Sequence, residues 1–226
     1  MKKRIIFSLI GLIWALGAAA QSDKEEKEQK ERSQSFSQSL YERFVSGRGT
    51  VFYGVGIPMG SQQDYINKTG NRNFGLAVEA MFPGRFSVGA RIGQQYVSEQ
   101  LPRQVYTFDD GSEVSAVQTR TLNIVPLMAI GSIYLNDIKS VFRPYLQLGA
   151  GGAYVNYAKY YGTLIDQKTG VRAALAPAVG AKFQFGKTSN LGGEIQAQYQ
   201  NVFFKYNELK NSSNLLLSVG ISYRWL

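Results

Sequence analysis

The 226-residue chain contains no histidine and no cysteine. The first absence removes the side chain that most often acts as general base toward a serine or a water. The second removes disulfides, thiolate metal sites and a lipid-bearing cysteine after an export signal. Neither a phosphate loop nor a dinucleotide fingerprint is present. Asp109, Asp110 and Glu113 cluster, but they surround Gly111 as a turn and lack the alternating spacing of a calcium loop. No catalytic residue, metal site or cofactor is therefore expected. An enzyme built from this chain would need a carboxylate- or lysine-based site.

The N-terminus reads as an export signal. Lys2, Lys3 and Arg4 precede an apolar stretch from Ile5 to Ala20 that ends in Gly17-Ala18-Ala19-Ala20. The stretch is short for a membrane-spanning helix, so cleavage after Ala20 is expected over a retained anchor. The formal charge of +9 falls to +6 without the three basic residues of the signal. Its charges are scattered and no nucleic-acid motif accompanies them, so anionic lipid or surface glycolipid are the expected partners and nucleic acid is not.

Residues 21–48 form a second region. Asp23–Arg32 is almost wholly charged, Ser33–Ser39 is rich in Ser and Gln, and Phe36, Leu40, Tyr41, Phe44 and Val45 fall at helical spacing. Two readings stand: a solvated periplasmic tail, or a short amphipathic helix that docks on a rim or a partner.

From Gly49 onward the pattern changes to strict alternation. In the last twelve residues Leu215, Leu217, Val219, Ile221, Tyr223 and Trp225 share one strand face. Seven earlier segments behave similarly, including Val51–Ile57, Phe74–Phe82, Phe86–Ile92, Pro144–Tyr154, Leu175–Phe185 and Leu191–Tyr199. The fourth, Thr121–Tyr134, is ambiguous: Leu122 and Ile124 set one phase, Val125, Leu127 and Ala129 the other, and Pro126 is the expected site of a bulge. Connections alternate in length. Pro83–Arg85, Asn136–Val141 and Gly186–Asn190 are short, whereas Met59–Gly70, Ser98–Thr119, Asn156–Gly170 and Asn201–Ser212 are long. The fold expected is all-β: an eight-stranded antiparallel up-and-down transmembrane β-barrel over 49–226, with short periplasmic turns and longer external loops.

The non-apolar face decides between a membrane barrel and a soluble one. It carries Gly, Ala, Ser and Gln with few charges, which suits a narrow interior rather than a wetted surface. Phe82, Phe86, Phe183, Phe185 and Trp225 near the short turns, and Tyr96, Tyr154 and Tyr199 near the long loops, fit two interfacial girdles. The same phase places Glu79, Arg91, Lys182, Glu194 and Arg224 inside. Lys182 and Glu194 are equidistant from the centre of the Gly186–Asn190 turn and can pair across strands. This set reads as a salt-bridge network filling the core, or as a gated polar path.

Outside the membrane, Val105–Phe108 leads into a turn and Glu113–Thr121 leads back, while Tyr157–Ile165 leads to a turn expected at Asp166–Gly170. Tyr106, Phe108, Asp110, Tyr160 and Tyr161 are the candidate binding residues of these hairpins. A protruding sheet with open edges and a pair of long mobile loops are both compatible with the pattern.

Pro144–Gly151, Leu122–Leu127 and Leu217–Trp225 resemble segments of the small bacterial outer-membrane β-barrel domain family, the OmpX-like and OmpA-membrane-domain-like barrels. The resemblance spans roughly Gly49–Leu226, with the terminal aromatic displaced by one residue because Leu226 follows Trp225. It implies assembly by the barrel-assembly machinery. Family members include adhesins, channels, enzymes and secretion-machine subunits. The expectation is a non-enzymatic structural or interaction role with a possible envelope protein partner, against a narrow solute channel or an accessory secretion subunit.

Overall fold

The computed structural model describes residue 29 and residues 43–107, 113–138, 140–186, 189–207 and 209–226. The expected export signal and nearly all of the charged region before residue 43 lie outside the described residues.

Eight antiparallel strands close into a ring in sequence order. They are β1 (Ser46–Met59), β2 (Gly70–Met81), β3 (Phe86–Thr107), β4 (Glu113–Tyr134), β5 (Phe142–Tyr161), β6 (Leu164–Gln184), β7 (Leu191–Val202) and β8 (Ser212–Trp225). One short helix, α1 (Ser61–Tyr65), follows β1. The closing pair, β1 with β8, runs in continuous register from Gly47–Trp225 to Met59–Ser213. Closure leaves no open edge within the ring, the condition for strands to stand in hydrocarbon. Among the described residues no helix is long and apolar enough to cross a membrane, which bears on helices alone.

The alternation maps onto two faces as expected. Leu127, Leu148, Val179, Val219 and Ile221 are 54–64% exposed on the outer wall. Arg48, Glu79, Lys182, Gln196 and Ser222 are buried inside. An outer wall of this composition has no favourable contact with water, so hydrocarbon is the medium it is built for. Trp225 lies over Gly47 and Gly49, filling the outer surface that those two residues leave bare.

Three sequence expectations are corrected. β1 begins at Ser46, earlier than the boundary at Gly49, because Ser46 pairs with Met81 and Gly47 with Trp225. Pro126 makes no bulge. Register is unchanged on either side of it (Ile92–Leu127, then Gln95–Ile124), and only the pairings opposite Pro126 and Val125 are missing. Pro177 sits in the same kind of gap, between Leu175–Asn201 and Ala178–Gln198. Each proline lacks an N–H, so the ladder is interrupted without slipping. The proline at a true bulge is Pro102, between Leu101–Gln118 and Gln104–Ala116. Finally, the β5–β6 turn falls at Gly162-Thr163, with Gly162 at φ +62°, and Asp166–Gly170 is strand. Glycine with positive φ at the first of two central residues is the pattern of a tight hairpin turn.

Candidate functional site

The interior has three levels. At the short-turn end, Lys182 reaches from β6 across the lumen to donate to Glu79 on β2. It also lies 3.8 Å from Glu194, its direct neighbour in register on β7. Lys182 donates to the Tyr134 hydroxyl at 3.1 Å. Ser87 and Ser132 donate to Oε1 of Glu79 at 3.2 Å each. Glu194 accepts from Tyr145 and, at 3.3 Å, from Thr50. Gly180 is what lets Tyr145 in: a Cβ there would lie 2.6 Å from the phenolic oxygen.

The five charges assigned inward by sequence are all buried. Glu79, Lys182 and Glu194 form one cluster. Arg91 stands above it, donating to Gln196 and stacking over Phe52 at 3.8 Å. Arg224 donates to Ser46 at 3.3 Å. Three further buried cations, Arg48, Arg143 and Lys159, were missed by the sequence reading. The signal for the first two was their phase: Arg48 shares parity with Thr50 and Phe52, and Arg143 with Tyr145 and Gln147. Both lie so near a strand end that they read as connections.

The middle level is built of amides. Gln95 and Gln200 exchange hydrogen bonds at 2.8 and 3.2 Å, and Asn214 donates to Gln95 at 3.0 Å. Gln196 donates to Gln147 at 2.7 Å, and Gln147 to Ser132 at 3.0 Å. Glutamine suits this place because each amide donates and accepts, satisfying its neighbours without net charge. A cavity of about 20 Å³ between Arg91, Gln95, Gln198 and Met128 is sized for a single water.

The outer level is apolar. Tyr65, Ile66, Leu122, Ile124, Val155, Tyr157, Val202, Phe204 and Leu209 pack there as one core. Tyr65 stacks on Tyr157 with centroids 4.6 Å apart, and its hydroxyl donates to the Ala158 carbonyl at 3.1 Å. Ser61 and Asn211 exchange hydrogen bonds at 2.7 and 2.9 Å, tying the loop after β1 to the loop before β8. The two loops therefore fold over the mouth. This level also explains the ambiguous phase of β4: Leu122 and Ile124 point into an apolar plug while Val125 and Leu127 point to the outer wall.

Beyond the ring, β3, β4, β5 and β6 continue as a four-stranded blade. Pairing of β3 with β2 stops at Tyr96–Arg72, and pairing of β6 with β7 stops at Ala174–Val202. Within the blade, β3–β4 pairing runs on to Thr107–Glu113, β4–β5 to Gln118–Tyr161 and β5–β6 to Tyr161–Leu164. Tyr106 and Tyr161 meet edge to face at 5.1 Å. Tyr160 is adjacent to Tyr161 in the strand and so takes the opposite face. Phe108 and Asp110 lie outside the described residues. Tyr206 donates to Asp166 at 2.8 Å, and Asn207 donates to the same carboxylate at 2.8 Å, fastening the last loop to β6. The hydrogen bond to Asp166 holds the Tyr206 phenol above its ordinary pKa. Among the described residues, no group of three His, Cys, Asp or Glu is arranged to hold a metal.

No protein-family model matches the chain, and no curated protein matches it in sequence. The likeness lies in solved structures. The attachment invasion locus protein Ail of Yersinia pestis superposes with a TM-score of 0.51 at 14% identity, over 80% of this chain and 99% of that one. Neisserial surface protein A gives 0.50 at 10% identity, over 79% and 96%. The chain thus has the fold of the small eight-stranded outer-membrane β-barrels.

Proposed function

We propose that this barrel is a non-enzymatic envelope protein whose external blade recruits a partner protein by strand addition. The observation that carries the reading is the backbone edge of β6 over residues 164–172, which has no strand beyond it among the described residues and which the last loop touches through side chains at Asp166 and Lys168. An unpaired row of N–H and C=O groups is a template for another strand. The two edges of the blade differ. The β3 edge is broken by the bulge at Pro102, a feature that discourages pairing. The β6 edge is free of proline and exposes Leu164, Ile165 and Val171 at 50–67%.

Anionic glycolipid is the second partner in this reading. Arg72 is exposed at the end of the apolar wall, on the same strand face as Phe74 and Leu76, where it can meet a headgroup phosphate. Recognition of β8 by the barrel-assembly machinery belongs to the same reading. Conduction is disfavoured by the plug and by interior spaces of about 20 and 10 Å³.

A benzophenone side chain placed at Val171 tests the edge in intact cells. It is expected to form a discrete protein adduct several times stronger than the same probe at Leu148 on the lipid-facing wall. The adduct should vanish when residues 160–165 are trimmed to an Asn-Gly turn, with the barrel still heat-modifiable. Equal yields at both positions, or an adduct that survives trimming, would remove the edge from consideration.

A further inference from the structure

We propose that the short-turn mouth of the lumen binds a small oxyanion, of the phosphate or carboxylate class, between Arg48 and Arg143. The argument starts from charge. Apart from Arg224, which has a partner of its own, the described residues of this half of the interior include four buried cations, Arg48, Arg91, Arg143 and Lys182, against two buried carboxylates, Glu79 and Glu194. Buried charge that is not matched is costly, so the excess calls for a counter-ion.

The two carboxylates attract these arginines through space, Glu79 being the cross-strand neighbour of Arg48, but their oxygens are engaged by other donors. Glu79 is occupied by Lys182, Ser87 and Ser132, and Glu194 by Tyr145, Thr50 and Lys182. Arg91 is committed to Gln196 and the Phe52 ring. Arg48 and Arg143, only 3% and 4% exposed, are left with donors that meet no acceptor among the described residues: Nε of Arg48, and both Nε and Nη1 of Arg143.

The geometry at Arg143 is that of a held fork. Its guanidinium stacks on the Tyr134 ring at 3.9 Å, and one amino group makes a long contact of 3.4 Å with the Gly84 carbonyl. Stacking uses the flat face of the guanidinium and leaves its in-plane N–H groups for other partners, and Nε and Nη1 are enclosed without one. Arg48 is paired in register with Glu79 and Arg143 with Lys182, and Lys182 bonds Glu79 across the lumen, so the two arginines stand at one level and repel one another. An anion between them converts that repulsion into two attractions. Asp137, the acidic group on the rim, is exposed and accepts from Arg85 at 3.0 Å. Paired N–H donors of guanidinium favour an ion presenting several oxygens over a spherical one. Gly84 belongs to the short β2–β3 turn, so the ion enters from that end, and the lumen-facing donors are out of reach of lipid headgroups on the outer wall.

The test uses the full-length protein in detergent micelles, with inorganic phosphate or acetate titrated at constant ionic strength against chloride. Phosphate should raise the thermal midpoint saturably, and calorimetry should give a single site. Arg48→Gln and Arg143→Gln should each weaken that site about tenfold or more, the loss of a charge-assisted hydrogen bond. Lys205→Gln, on the external loop, should leave it unchanged. If either arginine variant fails to fold, saturable broadening of the phosphate phosphorus resonance by the unaltered protein still decides the matter. No saturable response to either anion in the unaltered protein would overturn the proposal. So would arginine variants that bind as it does.

Discussion

Replacing Lys182 with methionine is expected to cost about 3–5 kcal/mol of folding stability, the range for removing one partner of a buried ion pair. The methionine fills similar volume, so the loss is one of charge rather than packing. Lys182 is 2% exposed and serves Glu79 and Glu194 at once. Without it, Glu79 and Glu194 both lose the ammonium group that each of them contacts directly. Urea unfolding in micelles provides the readout. The double variant Glu79→Gln with Lys182→Met should recover part of the loss, because it removes an uncompensated charge while keeping a hydrogen-bonding amide for Ser87 and Ser132. A K182M protein as stable as the parent would mean that the cluster is hydrated and exchanges its partners freely.

Truncating Tyr157 to alanine should cost a similar amount, about 3–5 kcal/mol, the usual range for deleting a buried aromatic ring. The ring is fully buried at the centre of the outer plug. It touches Tyr65 at 4.6 Å, Tyr206 at 5.2 Å and Phe204 at 6.5 Å between centroids. Those three residues belong to the two loops that close the mouth. Limited proteolysis should therefore cut residues 60–69 and 203–211 of Y157A much faster than in the parent, while the strands stay protected. Unchanged cleavage would show that the loops are held by their polar contacts, such as Ser61 with Asn211 and Ser212 with Gln62, rather than by the plug.

Much of the architecture was legible because the outer wall imposes one rule along every strand. Hydrocarbon demands apolar side chains at alternate positions, and Leu146–Leu148 or Leu217–Val219–Ile221 obey it without regard to what lies inside. The same rule made the inward charges readable, and the short turn between β6 and β7 made the Lys182–Glu194 pairing readable. The partnership of Lys182 with Glu79 was not, since those residues lie on opposite sides of the ring and no spacing along the chain records a diameter. Near the outer mouth the rule stops discriminating. There the interior is apolar as well, so Leu122 and Ile124 look like a second outer face and Pro126 like the break between them. Tyr65 and Ile66 were hidden for a related reason: they sit in a polar loop, and only the closed barrel gives them a core to enter. Gly162 was passed over for the polar run Asp166–Gly170, although positive φ at one glycine was enough to set the turn.

The account depends on which face of the wall meets lipid, and single-cysteine scanning along β5 tests it most directly. The chain has no native cysteine, so each introduced thiol reports alone. Fluorophores at positions 146, 148 and 150, in protein reconstituted into bilayers containing chain-labelled quencher lipids, should be strongly quenched. Those at 145, 147 and 149 should be shielded, an alternation of period two. Uniform quenching, inverted alternation, or a protein that stays folded and monodisperse in water without detergent would contradict the assignment of the apolar face to the membrane.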